Sequence, residues 1–429
     1  AHNLKVGGSN PSPATNLMIE EIKKNFLEID NKNKFFIILL TSFPISLILG
    51  NLVINLFFLL FSISFFLNFN KNKYFIKNKI VYLLSFFFIS LLINLIFSLY
   101  PINSLPRVIK IFFIILFIIE SLRIFKKYNK NLIDNIFLGW SVILVIVILD
   151  CYFEIIFGFN TLGYSTPLWG RVASFFGDEL VVGAFIYGFS LFFISYLIMH
   201  NTNNYIIAIC ILGVIIVSFL IGERSNFIKL FISIVLFSAF AVRTKFFNKI
   251  LTFLILICLV FVILNFNENY KHRYYEQFKN LYQVNGLTNF YKESQYGAHQ
   301  DAAIKIFKEF PIFGVGVKNF RHESNKEKYK NIDLKATNSK HTTHPHQIHL
   351  ELLSETGLFG YLSFIIFILY TLLIGIKNFA KHKNVYQLAS ILFIFTSLLP
   401  ILPSGSFFTT SYAMLFWLNF VFFSISDKK

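Results

Sequence analysis

The chain has few charged residues, few cysteines and no glycine-rich phosphate loop. Only 14% of its 429 residues are charged, against roughly 25% in soluble domains, so a soluble globular fold is excluded. Its three cysteines (Cys151, Cys210 and Cys258) all lie in apolar runs, so neither a disulfide framework nor a cysteine-based zinc site is expected. Without a glycine-rich loop to cradle phosphates, no nucleotide cofactor is expected either.

Apolar residues dominate instead, with 55% hydrophobic residues and 57 phenylalanines. Runs of roughly 20 apolar residues, enough to cross about 30 Å of hydrocarbon as a helix, recur from Phe35 almost to the C-terminus. Only helices satisfy every backbone group within such a run. We therefore predict an all-α, polytopic integral membrane protein with transmembrane helices at residues 35–50, 52–69, 80–99, 107–122, 133–157, 180–199, 205–221, 226–242, 249–266, 357–376, 385–402 and 407–425.

The first two of these twelve spans could also be one long apolar run. Pro44 and the Gly50-Asn51 pair interrupt that run, and such residues are typical of the turn of a tight hairpin. Two spans joined by a hairpin are therefore the prediction.

Lysine and arginine are concentrated on alternate connections between the predicted spans, which is the pattern of the positive-inside rule. The net charge of +17 is thus interpreted as membrane topology rather than nucleic-acid binding, with both termini cytoplasmic. Residues 1–34 form a cytoplasmic segment, and we interpret residues 1–17 as not native because Met18 offers a plausible start. Residues 35–266 contain helices 1–9, residues 267–350 a large periplasmic loop, and residues 351–429 helices 10–12.

The periplasmic loop contains one segment with helical periodicity. In ESQYGAHQDAAIKIFKEF the apolar residues Ala302, Ile306 and Phe310 fall on one face, and Pro311 ends the helix. A glycine-punctuated turn, PIFGVGVKNF, follows it. The loop then ends in HTTHPHQIHLELLSETGLFG, which leads directly into the tenth span.

Three arginines, Arg107, Arg171 and Arg224, lie at the outer ends of spans, against the positive-inside bias. Snorkelling to lipid headgroups is one interpretation. Because guanidinium groups bind phosphate with a planar fork, a shared anionic ligand is the interpretation that explains all three together. Lys110 and Lys229 lie about one turn deeper in the adjoining helices.

Four histidines, His341, His344, His346 and His349, lie within nine residues at the outer mouth of the tenth span. Three imidazoles could converge on a metal ion, but no HExxH motif accompanies them and Pro345 stiffens the backbone between two ligands. One histidine could instead act as a general base, since imidazole accepts a proton near neutral pH. A third interpretation is polar residues that cap the helix that follows.

Three motifs in the second half of the chain resemble those of the O-antigen ligase and O-antigen polymerase superfamily. HPHQIHLELLSETGLFG is similar to the family pattern of His-x-His-Asn followed by Glu-x-Gly, and IGERSNF resembles its Gly-x-Arg-Ser/Gly motif. AAIKIFKEFPIFGVGVKNF resembles the family's helix followed by Pro and Gly-Val-Gly. The motifs cover residues 222–360, and the topology of the whole chain also fits.

The resemblance implies roles for particular residues. His346 matches the catalytic histidine and Arg224 the diphosphate-binding arginine, while Gln347 stands where the family has Asn. A second family arginine opens the loop helix, but this chain has no arginine there, so His299, Arg273 or Arg321 would substitute. GRVASFFGDELVVG looks like a motif of polymerases. The remaining candidates from these motifs are Arg171, Asp178, Glu179, His344, His349 and Glu355. Asp150 and Glu154 could join the site, or they could be structural partners of Arg171.

The expected function is metal-independent transfer of a glycan from undecaprenyl diphosphate to a hydroxyl acceptor at the periplasmic face of the bacterial inner membrane. His346 would activate the acceptor, and Arg224, Arg171 and Arg107 would hold the diphosphate. The acceptor would be a lipid-linked repeat unit for a polymerase, which the GDE-containing loop favours, or lipid A-core for a ligase. The alternative from another class is a transporter or flippase, although no internal repeat is evident and the charged residues gather at the outer face.

Overall fold

The computed structural model describes residues 29–128, 130–166, 170–179, 181–242, 246–277, 279, 282–283, 294–329 and 342–424. All secondary structure in these ranges is helical, and no strand occurs among them. The predicted all-α class is therefore confirmed.

Twelve helices in the described ranges overlap the twelve predicted spans in position. They are α1 (Asn31–Leu49), α2 (Asn51–Leu67), α3 (Lys79–Phe97), α4 (Pro101–Lys127), α5 (Lys130–Phe157), α6 (Val182–Met199), α7 (Asn204–Leu220), α8 (Arg224–Ala241), α9 (Phe246–Phe266), α10 (Ile348–His382), α11 (Val385–Ser397) and α12 (Thr410–Val421). The helix Gln295–Glu309, which we call the loop helix, lies between α9 and α10.

Six of the described helical stretches are long and apolar enough to cross a membrane. They are Lys79–Phe97, Ile133–Phe157, Val182–Met199, Arg224–Ala241, Phe247–Phe266 and Ile348–His382. The bent pair Asn51–Leu67 and Phe69–Lys77 makes a seventh if it counts as one span. Two of the observed helices are shorter than the spans predicted for them. The helix in the predicted span 385–402 ends at Ser397, and the helix in the predicted span 407–425 begins at Thr410.

The predicted hairpin between the first two spans is present. Gly50 has a φ of 96°, which only glycine adopts readily, and it reverses the chain between α1 and α2, which pack against each other. Pro44 lies inside α1 without ending it. Gly50 alone therefore makes the break, and the interpretation as one long run is wrong.

At the end of the bundle opposite the histidines, a buried polar network joins α1, α2 and α4. Arg123, which follows the predicted span 107–122 and so falls in a predicted cytoplasmic connection, lies inside α4 and is buried against Glu120, with an Nη2 to Oε1 distance of 2.6 Å. Glu120 also accepts hydrogen bonds from Ser64, Asn68 and Asn72. A buried ion pair is stable only when such further hydrogen bonds replace its water.

The segment between α9 and α10 interlocks with α10 through backbone hydrogen bonds. Helix α10 is broken at Gly357 (φ 64°), and the PIFGVG segment of residues 311–316 fills the break. Four backbone hydrogen bonds join the two: Val315 N to Ser354 O (3.0 Å), Gly316 N to Glu355 O (2.9 Å), Leu358 N to Pro311 O (2.8 Å) and Phe359 N to Ile312 O (3.1 Å). Buried backbone N–H and C=O groups need hydrogen-bond partners, and each of these two segments supplies such partners to the other.

Glycine is required on both sides of this interlock. A Cβ atom on Gly357 would lie 2.2 Å from Ile312 O, and one on Gly314 would lie 2.5 Å from the carbonyl carbon of Glu355. Asn94 of α3 adds a third element, because its side-chain amide donates to Phe313 O and to Glu355 O. The interlock fixes the loop helix and residues 317–320 relative to the membrane helices.

The interlock predicts the effect of a single methyl group. We expect Gly357→Ala to lower the free energy of unfolding by about 1–3 kcal/mol or more. The backbone of alanine is strained at this positive φ, and the added Cβ also clashes with Ile312. Gly213→Ala in α7 is the control, since no atom lies within 4 Å of its added Cβ, and its effect should stay below about 1 kcal/mol. Thermal unfolding of the purified proteins in detergent measures both, and equal midpoints for Gly357→Ala and wild type would contradict the interlock.

Candidate active site

A cavity of about 600 Å³ opens at the end of the bundle where the histidines lie. Apolar side chains from α1, α6, α8 and α12 form part of its wall, including Leu47, Phe185, Ile228 and Leu415. The polar part of the wall contains Arg171, Glu223, Arg224, Arg273, Tyr296, His344, His346, Ser404, Ser406, Thr409, Ser411 and Tyr412. The cavity thus combines an apolar wall with a group of cations and imidazoles.

Three arginines meet in this cavity because two loops approach closely. The loop at Gly222 (φ 78°) packs onto the loop at Gly170, and a Cβ on Gly222 would lie 2.1 Å from Gly170 O. Arg171 follows the second loop, and Arg224 begins α8 immediately after the first. Arg273 follows α9 and donates from Nε to Gly222 O at 2.7 Å. The structure therefore brings together the predicted Arg171 and Arg224, and adds Arg273.

Among the described residues of the cavity wall, one carboxylate, Glu223, accompanies these arginines. Glu223 Oε1 lies 3.3 Å from Arg171 Nη2 and accepts from Gly183 N, while its Oε2 accepts from Asn226. Arg224 donates from Nη1 to Arg273 O at 3.1 Å, so that bond uses a neutral acceptor. Three cations against one carboxylate leave the wall with an excess of positive charge.

The pKa values of two residues at this wall reflect the excess of positive charge. Burial lowers the pKa of Arg273, and the charges of Arg171 and Arg224 lower it further. Burial raises the pKa of Glu223, and Arg171 opposes that rise. An anion that enters the cavity would relieve the repulsion among the three guanidinium groups, which bind phosphate oxygens with paired N–H donors.

His344 and His346 project from the strained turn before α10. His346 has a φ of 55°, unusual for a residue with a side chain, and its carbonyl accepts from Ser404 N at 2.9 Å. The rings of His344 and His346 lie 4.0 Å apart between centroids. His346 Nε2 lies 3.4 Å from Thr342 Oγ1. Of the four clustered histidines, these two line the cavity; His341 lies outside the described residues.

Both rings are held in the neutral form. Burial lowers the pKa of His346 to about 4, and His299 lowers it as well. Burial also lowers the pKa of His344 to about 2, and the neighbouring His346 and the charge of Lys318 lower it as well. A neutral imidazole has a free lone pair, which is the form that accepts a proton.

The loop helix covers His346 with two side chains. His299 is buried and stacks on His346 at 5.3 Å between centroids, and Tyr296 meets the same ring edge-on at 5.2 Å. His299 occupies the place where the resemblance expects a second arginine. Of its three possible substitutes, Arg273 lines the cavity, His299 packs against His346, and Arg321 lies elsewhere, near Arg107.

Three supporting candidates, Gln347, Glu355 and His349, form hydrogen bonds with neighbouring parts of the fold. Gln347 caps α10, because its Oε1 accepts from Leu350 N at 2.6 Å, while its Nε2 donates to Pro400 O. Glu355 accepts from the backbone N–H groups of Lys318 and Phe320 and so fixes the interlocked turn. His349 contacts Leu398 O through Nε2 at 2.8 Å and Tyr361 OH through Nδ1, outside the cavity wall.

Arg107 is absent from the cavity wall that the described residues form. Its Nη1 donates to Thr410 Oγ1 at 3.2 Å, and Lys110 Nζ donates to the same oxygen at 2.6 Å. Lys229, the other deep lysine, is buried and donates to Pro403 O at 2.8 Å. The three outer arginines therefore do not share one cavity: Arg171 and Arg224 do, and Arg107 lies with Arg321 in a different group.

The acidic candidates of the fifth span hold a loop. Glu154 accepts from the backbone N–H groups of Ala173 and Ser174, and Asp150 accepts from Thr161 and from Ser174 Oγ. These bonds fix the segment that carries Arg171. The side chains of Asp178 and Glu179 lie outside the described part of the chain, so their predicted role stays a prediction.

Within the described residues, no group of three His, Cys, Asp or Glu side chains has the geometry to hold a metal ion. Sequence reasoning missed the Ser and Thr hydroxyls of residues 404–411, which it divided between the connection after residue 402 and the start of the predicted span 407–425. It also missed Glu223, although that residue lies inside the IGERSN motif. Their signal was a run of small polar residues, SGSFFTTS, between two apolar helices.

Comparison with known families gives a match over part of the chain. Residues 206–365 match the family model described as O-antigen ligase, which confirms the resemblance to the O-antigen ligase and polymerase superfamily. Curated proteins give no match to the chain. The family match and the apolar helices indicate a multi-pass membrane protein with glycosyltransferase activity of the O-antigen ligase or polymerase type, acting on lipid-linked oligosaccharide.

The buried histidine pair predicts an unusual pH dependence. Because the pKa of His346 is lowered to about 4, its ring should stay neutral, and reactive toward diethyl pyrocarbonate, well below the ordinary histidine pKa of about 6.5. Mass spectrometry of the modified protein measures this rate against free N-acetylhistidine as an internal standard. The relative rate should rise as the standard protonates, and a His346 rate that falls in parallel with the standard would contradict the burial of the ring.

Proposed function

We propose that the chain, through the domain at residues 206–365 that matches the O-antigen ligase family, transfers a glycan from a polyprenyl diphosphate to a hydroxyl acceptor. The observation that carries the proposal is the single cavity in which three arginines and a neutral histidine pair face one another. A diphosphate leaving group needs the cations, and a hydroxyl nucleophile needs the base.

The arginines hold the diphosphate of the donor. Arg224, Arg171 and Arg273 present guanidinium donors from three different loops, and Glu223 orients Arg171 through the contact of 3.3 Å. In this role they stabilise the negative charge that develops on the diphosphate as the sugar leaves. The apolar wall at Leu47, Phe185, Ile228 and Leu415 suits the polyprenyl chain of the donor.

His346 acts on the acceptor. Its imidazole takes the proton of the acceptor hydroxyl while that oxygen attacks the anomeric carbon, and the bond from this carbon to the diphosphate oxygen breaks. The electron pair leaves with the diphosphate, and the sugar is transferred with inversion. His299 and Tyr296 keep the ring in place, and His344 forms the neighbouring wall.

The reaction takes place at the periplasmic face of the bacterial inner membrane, with both termini in the cytoplasm. The distribution of lysine and arginine along the chain supports this orientation. The donor would be undecaprenyl-diphosphate-linked oligosaccharide, and neither a metal nor a nucleotide is part of the proposed chemistry, since the donor carries its own leaving group.

His346→Ala and Arg224→Ala should each strongly reduce glycan transfer without loss of protein from the membrane. Loss of a general base costs about 10²–10⁴-fold in rate, and loss of a charge-assisted hydrogen bond costs about 10-fold to 100-fold. Transfer is measured with purified protein and lipid-linked oligosaccharide in vesicles.

The matched control is His349→Phe, which changes a histidine of the same cluster that lies outside the cavity wall. It should keep transfer, although it loses the bond to Leu398. Retained transfer in His346→Ala or Arg224→Ala would refute the assignment. Equal loss in the control would show that the effect is not specific to the cavity.

The acceptor decides between the two activities of the superfamily, and we favour the polymerase because of the GDE-containing loop. Lipopolysaccharide from a strain that lacks this chain distinguishes them. A polymerase predicts core that carries a single repeat unit, because joining of repeats is lost. Complete loss of O-antigen from lipid A, with lipid-linked polymer accumulating, would instead indicate a ligase.

A further inference from the structure

A second group of cations lies beside the cavity. Arg107 and Lys110 project from α4, and Lys318 and Arg321 belong to the loop that follows the interlock; we call these four residues the second cationic cluster. Arg107 and Lys110 both donate to Thr410 Oγ1, and Lys318 Nζ donates to Ser406 Oγ at 2.8 Å. Lys318 is almost fully buried. Two cations thus converge on one neutral hydroxyl.

These four charges are not neutralised by ion pairs with described residues. The ion pairs that the described part of the chain forms involve other residues, such as Lys326 with Glu323. Two buried carboxylates, Glu351 and Glu355, lie near Lys318, but Glu351 accepts from Ser406 and from Phe407 N, and Glu355 accepts from backbone N–H groups. Four cations therefore face two carboxylates whose acceptor sites are already in use.

The second cationic cluster also contains an unused hydrogen-bond donor. The Nε atom of Arg321 is buried and has no hydrogen-bond partner among the described residues. Burial lowers the pKa of Lys318, Glu351 and Glu355 raise it, and the charges of Arg321 and Arg107 lower it by smaller amounts. Like charges gathered in this way repel one another, and a bound anion would relieve that repulsion.

One segment of the chain belongs to both sites. In residues 404–410, Ser404, Ser406 and Thr409 line the cavity, while Ser406 and Thr410 contact the second cationic cluster. The charge of Lys318 also reaches His344 and lowers its pKa. The two groups of cations therefore flank the histidine pair and share a wall.

We propose that the second cationic cluster binds the phosphate of the acceptor lipid while the three arginines of the cavity bind the diphosphate of the donor. This inference rests on the proposed function, in which both candidate acceptors, a lipid-linked repeat unit and lipid A-core, carry phosphate. Two phosphate-bearing lipids that react with each other need two separate anion sites. A hydroxyl of the acceptor sugar would then lie toward His346.

The test compares Arg107→Gln/Arg321→Gln with wild type in a transfer assay that varies donor and acceptor separately. The KM for the acceptor should rise about tenfold or more, since two charged hydrogen-bond donors are lost, and the KM for the donor should stay unchanged. Arg321→Gln alone should give a smaller shift in the same direction. Lys271→Gln/Lys305→Gln removes two charges from partly exposed pairs with Glu268 and Asp301 and should change neither KM. Thermal unfolding checks that each variant is folded.

A rise in the KM of the donor, or an unchanged KM for the acceptor in the folded double variant, would overturn the proposal. If His346→Ala keeps transfer, the proposed function fails instead, and the cluster is then tested by binding alone.

That binding experiment uses native mass spectrometry of the full chain with undecaprenyl diphosphate, bisphosphorylated lipid A and phosphatidylglycerol, each as a separate probe. Affinity for at least one of the first two should fall about tenfold in Arg107→Gln/Arg321→Gln and not in the lysine control. Equal affinities in all three proteins would overturn the proposal. A fall of the same size for phosphatidylglycerol would also overturn it, because the cluster would then bind lipid headgroups in general.

Discussion

The interlock between the broken turn of α10 and residues 311–316 is the constraint on which the rest of this end of the molecule depends. A membrane helix cannot open its hydrogen-bonded turn in hydrocarbon unless other protein groups replace the lost bonds. Here the backbone of the PIFGVG segment does so, and Gly357 and Gly314 allow the approach. The loop that follows is anchored to the bundle, and Glu355 then orients the turn that carries Lys318.

The fold was largely predictable from the sequence because its main determinant is local. Apolar length defines each span, and the break at Gly50 follows from the conformational freedom of glycine. The ends of the helices were less predictable. Arg123 appeared to belong to a cytoplasmic connection, yet α4 continues past it, because its guanidinium is buried against Glu120 and the side chains of α1 and α2 supply the remaining partners. The hydrogen bond from Arg123 to Asn33, 90 residues earlier in the chain, leaves no periodic signal in the sequence.

The candidate site was predictable in part for the same reason. Arg224, Arg171 and His346 lie in motifs with recognisable neighbours, and the structure brings all three to one cavity. The positions of Arg273 and Glu223 in the cavity depend on how two loops pack. The position of Arg107 depends on which side of the 404–410 segment lies against α4. Sequence alone placed Arg107 with the other outer arginines, since topology reports depth in the membrane and gives no information about position around the bundle.

The contact between Gly222 and Gly170 has a consequence for how such a protein can change. Two loops from distant parts of the chain meet there with no space for a side chain, and Arg171, Arg224 and Arg273 all take their positions from that contact. Replacing either loop with one from another protein would leave the guanidinium groups without a common frame. The two loops and the residues after α9 are therefore constrained together, and a change in one of them is expected to displace all three guanidinium groups.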